Sequence, residues 1–131
     1  MRSYKELDAW KLSMELAKKI YDITATFPAR EMYGLSSQMQ RAAVSVPSNI
    51  AEGSGRNSMK EFVQFIYLSR GSLLELETQL ELSRMLGYLD EEKCNEIAKL
   101  ITRVHKIING LIFALKNSRT TNNPQPTTSE G

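Results

Sequence analysis

The side chains that could do chemistry in this chain are a few carboxylates, one histidine and one cysteine. Glu75 and Glu77 stand among leucines, and residues two apart point to different faces of a helix. We expect Glu77 to be partly buried and paired with Arg41 or Arg70, because a carboxylate removed from water needs a counter-charge. This pattern favours an ion pair between helices over general acid–base catalysis.

The histidine and the cysteine do not form a reactive couple. His105 follows Cys94 by eleven residues, about three turns of one helix. A di-iron bundle needs Glu-x-x-His pairs on two helices, and the chain has one histidine and no such pair. We therefore expect a structural role for His105, a core role for Cys94, no metal and no cofactor. An enzyme that uses Glu52 and Glu75 remains an alternative, although the sequence offers no convincing nucleophile.

Length and composition indicate one globular domain. The chain has 131 residues, of which 41% are hydrophobic and 24% charged, with a net charge of +2. One cysteine excludes an internal disulfide framework and suits a reducing compartment. No apolar run approaches the roughly 20 residues that span a membrane, and the start lacks a signal core. We expect a cytoplasmic protein with no membrane association and no small-molecule substrate.

Apolar residues recur at three- and four-residue steps, which predicts four helices. Pro28 ends the first helix, and Gly53 and Gly55 end the second. Ser58 with Glu61 three residues later forms a capping box, and Asp90 is placed to cap the last helix. The predicted spans are about Leu7–Thr26, Gly34–Gly53 (with Met32 as an earlier possible start), Ser58–Leu86 and Asp90–Leu115.

No segment alternates apolar and polar residues, so we predict no strand. Short connections make neighbouring helices antiparallel, and the fold class is an all-α, up-and-down four-helix bundle. We assign residues 1–116 to the bundle and expect residues 117–131, which are polar and cannot bury a core, to be a disordered tail.

The segment from Arg41 to Arg56 is unusual because its apolar stripe runs through Pro47. Proline removes a helical hydrogen bond and costs about 3 kcal/mol, so we expect a kinked helix whose neighbours Ser45, Ser48 and Asn49 compensate. Small residues surround the proline and favour a close approach. The segment is either a tightly packed kinked helix or a subunit interface or binding surface, and both can hold together.

Two motifs resemble a known family. Their residues are Gln38, Arg41, Ser45, Pro47, Asn49, Glu52 and Gly53, followed by Arg70, Gly71, Glu75 and Glu77. They resemble the bacterial four-helix-bundle proteins encoded in intervening sequences of large-subunit ribosomal RNA, over roughly residues 7–115. The same superfamily includes the accessory variability proteins of diversity-generating retroelements, which are similar in fold and assemble as pentameric barrels that engage a reverse transcriptase and its RNA.

The resemblance implies a homopentamer without catalytic activity, associated with structured RNA or with a reverse transcriptase. The motif residues would hold the second helix to the third, or one subunit to the next. The residues themselves also favour a homo-oligomer, because the apolar arcs of the first two helices are wider than one bundle core needs. A protein-binding adaptor without nucleic-acid contact is the alternative.

Basic side chains at helical spacing are the candidate RNA contacts. They are Lys11, Lys18, Lys19, Arg56, Lys60, Lys99, Arg103 and Lys106. In a monomer such residues are commonly solvated charges, whereas a ring repeats them around its axis. We expect weak, salt-dependent binding with little sequence preference. The chain also lacks an aromatic stacking platform in this interpretation, since Trp10, Tyr21, Phe62 and Phe65 fall on core stripes.

Overall fold

The computed structural model describes residues 3–122, with side chains up to residue 117. Four helices account for most of this length, and 3₁₀ turns precede the first and second of them, at Tyr4–Glu6 and Ala29–Glu31. No strand occurs between residues 3 and 122, which confirms the all-α fold class. The helices are α1 (Asp8–Thr24), α2 (Leu35–Ser54), α3 (Met59–Met85) and α4 (Glu91–Asn122).

The helices form an antiparallel bundle in which each packs against its neighbours in sequence and α1 also packs against α4. The direction is visible between α2 and α3. Ser69 Oγ donates to the Val46 carbonyl at 2.8 Å, and Ser83 Oγ lies 3.3 Å from Met39 Sδ. Residue numbers therefore rise along α3 as they fall along α2, as the up-and-down topology requires.

The local signals at the helix ends work as expected from the sequence. The Glu61 N–H donates to Ser58 Oγ at 3.1 Å, and the Lys93 N–H donates to Asp90 Oδ1 at 2.8 Å. Gly87 has φ of +79°, a left-handed conformation that glycine adopts without strain, and it stops α3. These three positions set the beginning of α3, its end and the beginning of α4.

Two helix ends differ from the predicted bounds. Helix α1 ends at Thr24, before the predicted Thr26. Helix α4 continues to Asn122, past the predicted Leu115 and into the segment that we expected to be a tail. The remainder of the predicted tail, residues 123–131, lies outside the described part of the chain.

The core lies along the bundle axis, and the predicted α4 seam is in it. Cys94, Ile97, Ile101, Val104 and Ile108 are all at most 5% exposed. Burial raises the pKa of the Cys94 thiol, which suits an inert core cysteine. None of the described helices is long and apolar enough to cross a membrane.

The assignment of Tyr21 to a core stripe is wrong. Tyr21 is 48% exposed, and Met14, which has the same helical spacing from Trp10 and Ala17, is 45% exposed. They lie beside Val44 of α2, on the outer edge of the contact between the two helices, where none of the other described helices covers them. We call this surface the α1–α2 groove: Trp10, Met14, Tyr21, Val44 and Pro47.

Candidate interaction surfaces

The first motif builds a polar seam between α2 and α3. Asn49 Nδ2 donates to both Ser45 Oγ and the Ser45 carbonyl at 2.9 Å, and Ser72 Oγ donates to Ser45 Oγ at 2.8 Å. Together with the buried contact from Ser69 to Val46, these bonds satisfy small polar groups where the helices are close. Ser45 therefore links α2 to α3 through Ser72, whereas Asn49 acts within α2 by binding the Ser45 hydroxyl and carbonyl.

Pro47 is buried on the opposite side of α2, towards α1. The helix continues through it from Leu35 to Ser54. Asn49 and Ser45 form the side-chain contact expected beside it, whereas Ser48 is exposed and makes no hydrogen bond with a described residue. Six residues after the proline, Gly53 is buried against Phe62 and Phe65 of α3.

Two motif charges remain unpaired at the edge of the seam. Arg41 lies one turn before Ser45, and Glu75 lies one turn after Ser72, so the antiparallel helices place both charges at the same level of the bundle. Both are exposed, and neither forms an ion pair with any described residue. These charges are available to a partner.

Gln38 and Gly71 are exposed motif positions near the same seam. A Cβ atom at Gly71 would meet nothing within 4 Å. Glycine inside a helix costs about 1 kcal/mol relative to alanine, and packing within the described chain gives no reason for it.

The expected ion pair of Glu77 with Arg41 or Arg70 is wrong. Glu77 is exposed and lies 3.7 Å from His105 Nε2, because its turn of α3 faces α4. Arg70 also faces α4, where it donates to Asn109 Oδ1 at 2.9 Å and lies over the Tyr67 ring. Glu77 is solvated and therefore needs no arginine to offset desolvation.

Glu52 and Glu75, the carboxylates of the enzyme alternative, are both on the surface. Glu52 accepts a hydrogen bond from Arg56 at 2.7 Å, one helical turn away. No group of three or more histidine, cysteine, aspartate or glutamate side chains that could hold a metal is present in the part of the chain that the structure describes.

The candidate RNA contacts divide into two groups. Three are neutralised by carboxylates: Lys18 by Asp22, Lys19 by Glu96 and Arg56 by Glu52, at 3.3, 3.6 and 2.7 Å. The other five are exposed and have no ion pair with a residue in the described range. These five are Lys11, Lys60, Lys99, Arg103 and Lys106.

Three of the unpaired cations form one stripe. Lys99, Arg103 and Lys106 are spaced by four and three residues, so they share the outer face of α4, opposite the buried Ile101 and Ile108. We call these three residues the α4 basic stripe. We expected from the sequence that this stripe lies away from the core seam. The absence of ion pairs with other described residues depends on the fold and could not be predicted from the sequence.

An exposed apolar surface on α3 was not identified from the sequence. Its outer side carries five leucine and methionine side chains that are 44–69% exposed. With the open position at Gly71 they form what we call the α3 outer face: Leu68, Gly71, Leu74, Leu82, Met85 and Leu86. From the periodicity we assigned only the buried stripe of α3 to the core. A second set of apolar residues at helical spacing is also visible in the sequence.

A second unforeseen feature closes the bundle end where α1 joins α2. Tyr88 donates to Glu31 Oε2 at 2.7 Å, and Glu31 Oε1 accepts the Leu35 N–H at 3.0 Å. The hydrogen bond from Tyr88, with that from Leu35, lowers the pKa of Glu31. The same bond raises the pKa of Tyr88, whose ring also packs against Phe27.

Comparisons with known proteins agree with this architecture. A solved protein of unknown function from the S23 ribosomal protein family of Bacteroides thetaiotaomicron is similar in fold, with a TM-score of 0.74 and 23% identity over 79% of this chain and 94% of that one. A search of curated proteins found no match. The model of the 23S rRNA-intervening sequence protein family matches residues 5–110. The chain therefore belongs to the 23S rRNA-intervening sequence protein family.

Proposed function

We propose that this protein is a non-enzymatic, self-associating scaffold that binds structured RNA, alone or together with a reverse transcriptase. The observation that carries the proposal is the α4 basic stripe, in which three exposed cations form no ion pair with any residue that the structure describes. The nearest acidic residue in sequence that could neutralise it, Glu96, is held instead by Lys19 and Lys93. Phosphates would supply the missing negative charge.

Self-association is supported by the two apolar surfaces. The α3 outer face and the α1–α2 groove are different, and each exposes large side chains. A contact between two different surfaces of identical chains is heterologous, and it closes into a ring when the rotation permits. Arg41 and Glu75 would then supply charge pairs between subunits. The pentamer follows from the family resemblance, and a ring would present five copies of the α4 basic stripe.

The enzyme alternative has less support. General acid–base catalysis by two carboxyl groups needs different environments that move their pKa values apart, so that one acts as the acid and the other as the base. Glu52 and Glu75 are instead exposed, and Glu52 is bound to Arg56. The adaptor alternative shares the scaffold architecture and differs in predicting no RNA contact. We also propose a cytoplasmic location, as expected for a partner of cellular RNA.

RNA binding across a salt series separates the scaffold from the adaptor. We compare the wild-type protein with Lys99→Gln/Arg103→Gln/Lys106→Gln, using a hairpin RNA with a single-stranded extension. The slope of log affinity against log salt is negative, and we expect it to be less steep by about 2 to 3 units in the variant. Each of the three lost phosphate contacts contributes about 0.7 to 0.9 to the steepness.

The matched control is Lys18→Gln/Lys19→Gln/Arg56→Gln. It removes the same charge from cations that already have carboxylate partners. The control should keep most of the wild-type slope. Equal salt slopes in the two variants would show that the α4 basic stripe is not the RNA-binding surface. Absence of RNA binding by the wild-type protein at low salt would favour the adaptor.

A further inference from the structure

The outer face of α4 carries an exposed aromatic ring next to its cations. Phe113 is 68% exposed, and it follows Lys106 by seven residues, or about 10 Å along the helix. Its spacing from the α4 basic stripe places it on the same outer face, while Ile112 and Leu115 are buried. The Phe113 ring makes no ring contact with any described aromatic residue. Packing within the bundle does not explain a phenylalanine here.

Gly110 lies between Lys106 and Phe113 on this face. A Cβ atom at this position would meet nothing within 4 Å, so the backbone is uncovered. Alanine would stabilise the helix by about 1 kcal/mol without a clash. The glycine therefore leaves a flat, open surface one turn before the ring.

Cations followed by an exposed ring match the chemistry of unpaired nucleotides. Cations neutralise the phosphate backbone, and aromatic faces stack on bases of any sequence. A base inside a duplex is already stacked on its neighbours, so only an unpaired base can reach the ring. An acidic protein would satisfy the cations but would not require a flat surface beside the ring.

We infer that the α4 outer face, defined as Lys99, Arg103, Lys106, Gly110 and Phe113, binds unpaired RNA nucleotides, with phosphates along the α4 basic stripe and one base stacked on Phe113. This inference rests on the proposed RNA association and names the part of the RNA that is recognised. It differs from the expectation that the chain lacks a stacking platform. That expectation considered only aromatic residues on core stripes and omitted Phe113.

The test compares Phe113→Leu with Phe113→Tyr on two RNAs, a single-stranded 12-mer and a blunt duplex of the same sequence. Leucine keeps an apolar side chain and removes the ring, whereas tyrosine keeps the ring. Phe113→Leu should weaken single-strand binding by roughly 5- to 150-fold and leave duplex binding unchanged. Phe113→Tyr should bind the single strand as tightly as the wild-type protein does. Thermal unfolding of both variants should match the wild type, since the side chain is exposed.

A second variant, Gly110→Leu, fills the open surface while keeping the ring and all three cations. It should also weaken single-strand binding selectively. If neither Phe113→Leu nor Gly110→Leu changes single-strand affinity, or if both RNAs are weakened equally, the inference is wrong. Competition by a polyglutamate peptide as strong as that by single-stranded RNA would also overturn it, in favour of an acidic protein.

These outcomes are distinguishable from failure of the proposed function. If the triple glutamine variant lowers the salt slope while Phe113→Leu has no effect, RNA association stands and the stacking site falls. If neither RNA binds the wild-type protein at low salt, both fall.

Discussion

A Cβ atom at Gly53 would lie 2.7 Å from the Cβ of Phe65 and 3.0 Å from Cδ1 of Phe62. Helices α2 and α3 therefore approach each other at a point where only glycine fits. The resemblance assigns Gly53 to the family motif, and this contact gives its physical role. The segment around Pro47 thus builds a tight helix–helix contact within one chain, which was one of its two interpretations.

Gly53→Ala should destabilise the fold by about 1–3 kcal/mol, because the methyl group forces the two backbones apart. Gly110→Ala is the matched control, since it is also a glycine inside a helix but has open space around it. Urea unfolding measures both. Destabilisation by Gly110→Ala as large as that by Gly53→Ala would contradict the packing explanation.

Ser13 is fully buried in α1, and its hydroxyl has no hydrogen-bond partner among the described residues. Ser13→Ala should stabilise the protein by about 1–3 kcal/mol, because it removes an unsatisfied polar group. The equally buried Ser69 is the comparison, since its hydroxyl donates to Val46. Ser69→Ala should cost about 0.5–1.5 kcal/mol. Thermal unfolding should show opposite signs for the two variants, and equal signs would refute this account.

The hydrogen bond from Tyr88 to Glu31 should make stability depend on pH in acid. The pKa of Glu31 in the folded protein lies below its usual value of 4.5. Its contribution is therefore present above the unfolded pKa and is lost as pH falls through the folded pKa. Glu31→Gln should reduce the free energy of unfolding at pH 7, and the difference from wild type should shrink below pH 4.5.

Tyr88→Phe keeps the contact with Phe27 and removes one of the two donors to Glu31, so it should reproduce part of the pH dependence of Glu31→Gln. Urea midpoints measured at several pH values between neutral and acid check this. A difference between wild type and Glu31→Gln that is constant with pH would rule out the ionised carboxylate as the cause.

Much of the fold could be predicted because its signals are local. Ser58, Gly87 and Asp90 act through backbone groups within a few residues, so one sequence suffices to place them. The end of α4 was placed too early, since polar residues after Asn117 carry no apolar stripe although the helix continues to Asn122.

The surfaces were harder to predict because they depend on which helix covers which stripe. Tyr21 has core spacing, but it lies at the outer edge of the contact between α1 and α2 and is 48% exposed. We predicted an ion pair between Glu77 and an arginine, because the sequence does not reveal that this turn of α3 faces His105. Phe113 was overlooked because a single aromatic residue outside the core stripe has no periodic signal.

The α3 outer face should be the contact between subunits. Leu74→Glu/Leu82→Glu places two carboxylates on it, and they should prevent association because charges at a buried apolar contact lose their hydration. Both leucines are at least 44% exposed in the single chain, so helical content should not change. Asn57→Glu/Ala98→Glu, at exposed positions outside this face, is the charge-matched control and should assemble normally.

Sedimentation velocity of the wild-type protein at micromolar concentration tests the self-associating scaffold most directly. We expect a closed oligomer with the mass of a pentamer of 14.9 kDa chains, which dissociates in Leu74→Glu/Leu82→Glu and persists in the control. A single wild-type species at 14.9 kDa would contradict it.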